Sequence, residues 1–100
     1  MTSWPDMQDI TIADFEARRQ SAVKLVAEGE SMPLEIAEIN PMGQSQREGG
    51  AFSVVLRGPR EPVVDQATHH LVFEDDGPID LFLVPVGEDA LGMLYEAVFT

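Results

Sequence analysis

The sequence predicts a mainly β fold: a small six-stranded antiparallel barrel or roll with one short N-terminal helix. Three observations predict it. Apolar runs of strand length recur through residues 21–99, and segments rich in Gly, Pro or Asp close each run. A single stretch before residue 20 has helical spacing. At 100 residues the chain has the size of one domain, 1–100, so we expect these elements to share a single core.

The N-terminal part of the chain is interpreted as an arm followed by a helix. Residues 1–10 should be loosely held, with Trp4 packed on the domain or on a neighbouring molecule, the domain being favoured. A helix over 11–19 follows, because Thr11 and Asp14 have the spacing of a capping box and Phe15 supplies an apolar contact. Residues 21–99 should then form the barrel.

Six strands are expected to build the barrel. Residues 40–50 are interpreted as a loop, and 58–62 as a crossing loop because its prolines cannot donate to a β ladder. The alternation slips before Ile39, which indicates a bulge. On the fourth strand His69 should face the core, together with Leu71 and Phe73. The predicted strands are 21–27, 33–39, 52–57, 67–74, 80–86 and 93–99.

The net charge of −12 is unevenly distributed along the chain. The first 60 residues hold all six Lys and Arg and nine acids, whereas the last 40 hold nine acids and no Lys or Arg. Such a surface repels phosphate groups, so we expect no direct binding to nucleic acid or to an anionic membrane. A basic protein partner is the sharper interpretation, and solubility alone is the simpler one.

Composition also bears on compartment. No apolar run approaches the ~20 residues that span a bilayer, and the first residues lack the pattern of a signal peptide. The chain has no cysteine, which excludes disulfides and thiolate metal sites and is typical of a reducing cytoplasm. We therefore expect cytoplasmic synthesis, with incorporation into a phage-like particle as a further hypothesis.

Several blocks in the C-terminal half resemble a known family. They are residues 52–59 (FSVVLRGP), Gln66, 81–87 (LFLVPVG) and 92–99 (GMLYEAVF). In this order they are similar to small bacterial proteins of about 100 residues known as a domain of unknown function. The resemblance implies an association with phage tail-collar or tail-fibre-type proteins, and it supplies no catalytic residue.

Two positions depart from the pattern of that family, where a proline usually precedes the glutamine and an aromatic follows it. Asp65 and His69 stand there in this chain. His69 and His70 are neighbours on a strand, so their side chains should point to opposite faces and cannot share one metal ion. A small hydrolase or isomerase would need one of them to be oriented by Asp65, or by Glu74.

Three carboxylates, Glu74, Asp75 and Asp76, lie within one turn. Calcium favours such oxygen ligands, but the EF-hand spacing is missing and Asp80 would be needed as well. A solvated acidic turn is the simpler interpretation, and neither a metal nor a cofactor is predicted.

Four further residues are candidates for binding a partner. Arg57 and Arg60 would either pair with Glu61, Asp65 or Glu96 or anchor a partner's carboxylate. Tyr95 and Phe99 would either complete the core or, if the last strand lies at an edge, anchor an added strand.

The sequence thus favours a non-enzymatic structural or interaction protein, an accessory or adaptor of a phage-tail-like assembly that works through a protein partner. An acidic decoy that occupies a basic groove of a nucleic-acid-binding protein is the alternative, and a His/Asp-dependent hydrolase or isomerase is a lesser one. Salt distinguishes the first two, because a complex held by charge weakens as salt rises whereas apolar strand addition persists.

Overall fold

The computed structural model describes residues 4–6, 9–42 and 50–99 of the protein. Within them one short helix precedes six antiparallel strands that close into a barrel, which confirms the predicted fold class. The predicted loop at 40–50 lies largely outside these residues. In chain order the elements are α1 (Ile12–Glu16), β1 (Val23–Ala27), β2 (Glu30–Pro41), β3 (Phe52–Gly58), β4 (Ala67–Phe73), β5 (Gly77–Asp89) and β6 (Gly92–Phe99).

The helix begins as predicted and ends earlier. The N–H of Thr11 donates to Oδ2 of Asp14 at 2.8 Å, which closes the first turn. Phe15 is the buried residue of α1. The prediction of a helix to residue 19 was wrong, and residues 17–20 form turns, because no apolar side chain beyond Phe15 holds a further helical turn against the barrel.

Strand β2 begins earlier than predicted because the connection from β1 has only two residues. Glu28 (φ 52°) and Gly29 (φ 80°) both have left-handed backbone conformations. This is the combination that a type I′ hairpin turn requires, and its twist matches that of the strands on either side. The bulge expected in this strand is confirmed, since the register with β3 shifts between Ile36 and Glu38.

The barrel closes because its two longest strands each serve two neighbours. The strands follow one another in the order β1-β2-β3-β6-β5-β4, and β4 returns to β1. Residues 30–34 of β2 pair with β1 and residues from 35 onward pair with β3. Strand β5 likewise divides its pairing between β4 (77–83) and β6 (84–89).

The barrel has two different ends. The helix end contains α1 and the aromatic residues Phe15, Phe52, Phe73 and Phe99. The turn end contains the turns at 28–29 and 90–91 and the segment 59–66 between β3 and β4.

The last strand is not an edge of the sheet. Strand β6 lies between β3 and β5, with the side chains of Tyr95 and Phe99 buried in the core. The hypothesis that these two residues anchor a partner's strand was therefore wrong, because neither side chain reaches the surface. No helix in the described ranges is long and apolar enough to cross a membrane.

Candidate functional site

A groove of about 600 Å³ opens at the turn end of the barrel. One wall is the first part of β2, and the other is the segment that follows β3. Its surface is largely apolar, with acidic side chains at the β1–β2 turn. The apolar lining comes from Leu25, Met32, Pro33, Pro59, Pro62 and Val64.

The groove exists because β2 and β3 separate before the end of the barrel is reached. Their pairing ends at Glu35 and Arg57. Beyond Gly58 the chain turns away from β2, and the residues that follow include Pro59 and Pro62, which have no N–H to continue the ladder. Residues 30–34 of β2 are consequently paired with β1 on one side and face the groove on the other.

The backbone groups that face the groove follow from the hairpin geometry. The pair Ala27–Glu30 closes a two-residue turn and is hydrogen-bonded, and such pairs alternate along an antiparallel ladder. The pairs Val26–Ser31 and Lys24–Pro33 therefore belong to the other set, which suits a residue that lacks an N–H. Backbone groups of that set point away from β1. The N–H and C=O of Ser31 and the C=O of Pro33 thus point into the groove.

Tyr95 holds the opposite wall in place from inside the barrel. Its side chain is completely buried, and its hydroxyl oxygen accepts a hydrogen bond from the N–H of Val64 at 3.1 Å. A residue considered as a partner anchor thus acts on the groove indirectly. It fixes the position of the segment 59–64.

Arg57 and Arg60 brace the neighbouring turn. The guanidinium of Arg57 donates to both carboxylate oxygens of Asp89, at 2.7–3.2 Å, and to Glu35 at 3.2 Å. Arg60 donates to the carbonyl oxygens of Asp89 and Ala90, at 3.2 Å each. The expected partners Glu61, Asp65 and Glu96 were wrong, because the turn at 90–91 brings Asp89 to the end of β3 instead.

The pair of Arg57 and Asp89 alters both ionisation equilibria. Hydrogen bonds from Arg57 hold the pKa of Asp89 below its usual value, with help from the N–H of Leu91. Hydrogen bonding to Asp89 in turn raises the pKa of Arg57. Asp89 also accepts hydrogen bonds from the N–H groups of Leu91 and Gly92, at 2.9 and 3.0 Å, so one carboxylate orders the whole turn.

The acidic turn at residues 74–77 lies at the helix end, away from the groove. Asp76 receives the guanidinium of Arg18, with Nε to Oδ2 at 2.9 Å, while Glu74 and Asp75 are exposed. Asp80, the further ligand that calcium would need, pairs with His70. Among the described residues no three His, Asp or Glu side chains lie close enough together to hold a metal ion.

The two histidines have separate partners. Nδ1 of His70 lies 2.7 Å from Oδ1 of Asp80, on the exposed surface of the barrel. His69 is half-buried, and its Nε2 lies 2.7 Å from the backbone carbonyl of Asp65. The carboxylate of Asp65 does not form the orienting contact that the enzyme hypothesis required of it.

The arm at the N terminus packs on the domain, as expected. The Trp4 ring lies 4.8 Å from that of Phe73 and 5.1 Å from that of Phe15. The guanidinium of Arg18 lies over the same indole, 4.1 Å from its centroid. Trp4 and Arg18 thus cover the helix end of the barrel.

Sequence reasoning missed the groove, although one signal was present. A proline inside a strand indicates that the backbone beside it is not paired. Pro33 was taken as the first residue of a strand, a position that proline also tolerates, so its meaning for the edge of β2 was lost.

Comparison with known proteins adds one match. A family model described as a domain of unknown function matches residues 10–99. No curated protein matches the chain, and no solved structure matches it.

Proposed function

The chain belongs to the DUF6916 family of domains of unknown function, and on that premise we propose that it is a non-enzymatic interaction protein that binds a protein partner through the groove at its turn end. The observation that carries the proposal is the apolar groove beside unpaired backbone of β2. Such a surface favours contact with another polypeptide over chemistry on a small substrate.

The charged groups near the groove support the same function. Arg57, Arg60 and Asp89 are the ionisable residues that sequence reasoning or geometry brings to this end. Each is engaged in ordering the turn at 90–91. Their role is to stiffen one side of the groove, which lowers the entropy that a partner must overcome on binding.

The resemblance of the sequence to proteins associated with phage tail components suggests the setting. We propose that the partner belongs to a phage-tail-like assembly and that this protein acts in it as an accessory or adaptor. A small rigid barrel with one recognition groove suits that task, because it can join a larger structure without changing its own fold.

The net charge of −12 favours a second candidate, the acidic decoy. A decoy would use the acidic surface at large and would need no groove. Its complex with a basic nucleic-acid-binding protein would depend on long-range attraction and would dissociate as salt rises.

A retention experiment distinguishes the two functions. The tagged protein is incubated with a lysate of its own source, washed at low and at high salt, and the retained proteins are identified by mass spectrometry. Two matched variants accompany it: Ser31→Arg, which fills the groove side of β2, and Thr68→Arg, which adds the same charge to an exposed position of β4.

We expect tail-like or fibre-like proteins to be retained at high salt by the wild-type protein and by Thr68→Arg, and to be lost with Ser31→Arg. Retention that does not respond to Ser31→Arg would contradict binding in the groove. Loss of a basic nucleic-acid-binding protein at high salt, equal for all three baits, would support the decoy.

A further inference from the structure

The geometry of the groove points to a mode of recognition. We propose that the groove takes an extended peptide segment rich in Lys or Arg, which adds as a strand beside residues 30–34 of β2. This inference rests on the proposed function, since it concerns the same groove. It goes further by naming the conformation and the charge of the segment that is bound.

The backbone of β2 offers one short length of unpaired edge. The N–H and C=O of Ser31 and the C=O of Pro33 point into the groove, as derived from the alternation of the ladder with β1. Residues 30–34 extend over roughly 16 Å at about 3.3 Å per residue, so a segment of about five residues would cover them. Because the rest of β2 pairs with β3 from Glu35 onward, the register of an added strand is limited at that end.

The opposite wall leaves this edge available. Pro59 and Pro62 lie there and have no N–H to donate, and Val64 has given its N–H to the hydroxyl of Tyr95. The wall can therefore contribute apolar contact without competing for the backbone of β2. Side chains of an added strand that point inward would lie against Met32 and Val64.

Charge selects the kind of segment. Glu28 and Glu30 line the groove, and Glu35 lines the smaller cleft that continues it past Pro33. The nearest basic residues do not offset them, because Arg57 binds Asp89 and Glu35 and Arg60 binds backbone carbonyls of the turn. An added strand with Lys or Arg on its outward face would meet these carboxylates.

The same charge argues against a second copy of the chain as the occupant. Two β2 edges placed side by side would bring Glu28 and Glu30 of one copy close to those of the other. Like charges opposite each other on adjacent strands are destabilising. The partner of this edge is therefore a different, basic segment.

The test is a titration of the full-length protein with short peptides, followed by the shifts of its backbone amide signals in NMR spectra. The probe is a capped peptide of about six residues in which lysine and valine alternate. Two control peptides have glutamate in place of lysine, or proline in place of the central valine. We expect the lysine peptide to shift the amides of residues 30–34 and of Val64, and both controls to bind weakly.

Variants locate the contact. Ser31→Pro removes the N–H that points into the groove, and we expect it to weaken binding of the lysine peptide about tenfold, the effect of losing one good hydrogen bond. Glu30→Lys should weaken binding about fivefold, through lost attraction and added repulsion. Glu16→Lys makes the same change of charge at the helix end and should leave binding unchanged.

Circular dichroism first establishes that each variant is folded, and Glu30→Lys serves as the test if Ser31→Pro is not. Equal binding of the lysine and glutamate peptides, shifts centred outside the groove, or full affinity in Glu30→Lys would overturn the inference. A dimer in sedimentation that Ser31→Pro disrupts would overturn it in favour of a second copy.

The outcomes also separate this inference from the proposed function. If Ser31→Arg abolishes retention of a tail-like partner but the lysine peptide does not bind, the adaptor function stands and strand addition is wrong. If the peptide binds in the groove but no partner is retained from the lysate, strand addition stands and the adaptor function is wrong.

Discussion

The two ends of the barrel use an arginine–aspartate pair for opposite purposes. At the helix end Arg18 and Asp76 are each about 10% exposed, and the arginine also lies over the Trp4 ring, so the pair closes the barrel. At the turn end Arg57 braces Asp89 beside a groove that stays open. The difference teaches that the barrel is secured at one end, which leaves the other free to present unpaired backbone.

The packing at the two ends differs in the same way. At the helix end Phe52 and Phe99 stack with centroids 4.6 Å apart, and Phe15 contacts both rings. At the turn end a single hydrogen bond from the N–H of Val64 to Tyr95 fixes the wall of the groove. If this contrast is correct, variants of the helix end should change stability, and variants of the turn end should chiefly change recognition.

The largest effect is expected from Phe15→Ala at the helix end. Phe15 is completely buried and contacts the rings of Trp4, Phe52, Phe73 and Phe99. Its truncation should lower the free energy of unfolding by about 3–5 kcal/mol, through lost burial and the cavity left behind. Urea denaturation measures the change. A loss below about 1 kcal/mol would contradict the role given to this cluster.

A smaller loss of stability is expected from Arg18→Met, also at the helix end. The substitution keeps much of the side-chain volume but leaves the carboxylate of Asp76 without its partner, in a site that is about 10% exposed. We expect a cost of about 1–3 kcal/mol, between the values typical of exposed and of buried pairs.

Arg19→Met is the matched control, because Arg19 is 44% exposed and its nitrogen lies 3.7 Å from Glu16. It should cost no more than about 0.5 kcal/mol. Equal losses in the two variants would mean that the pair of Arg18 and Asp76 does not close the barrel.

The helix end is also the part that the sequence predicts best. The capping spacing at Thr11, the buried Phe15 and the packing of Trp4 on the domain follow from local pattern and from the cost of exposing a large ring. The strands follow equally from their alternation. Such features depend on near neighbours in the chain, and for this reason the fold class could be derived without coordinates.

The turn end could not be derived in this way. Its features depend on residues far apart in the chain: Arg57 meets Asp89, and Tyr95 meets Val64. Side-chain alternation does not state which strand lies next to which, so the sequence alone allowed β6 to be an edge. Closure of the barrel buried Tyr95 and moved the unpaired backbone to β2.

Tyr95→Phe would sharpen the contrast, since it removes one oxygen atom at the turn end. The N–H of Val64 loses its acceptor, and we expect a cost of about 1 kcal/mol in the free energy of unfolding. Because the wall 59–64 is then less firmly held, the lysine peptide should also bind less tightly. Phe73→Leu at the helix end is the converse control, and it should lower stability without changing peptide affinity.

The smallest effect is expected from Asp89→Asn, and it should appear in the pH dependence of stability. Arg57 lowers the pKa of Asp89 below its ordinary value of 3.8. The carboxylate therefore stabilises the fold at pH values above its ordinary pKa, and this contribution disappears as the pH falls through the lower folded value. Asparagine keeps an oxygen that can accept from the N–H groups of Leu91 and Gly92, so the turn should remain while the charge is lost.

Urea denaturation from neutral pH down to about pH 2.5 measures this effect as the difference in stability between wild type and variant. We expect a constant difference at neutral pH that narrows below the ordinary pKa, because protonated Asp89 resembles asparagine. Glu88→Gln, an exposed neighbour, should show no such narrowing. A difference that stays constant down to the lowest pH would mean that the charge of Asp89 does not brace the turn. The turn end would then be ordered by backbone hydrogen bonds alone.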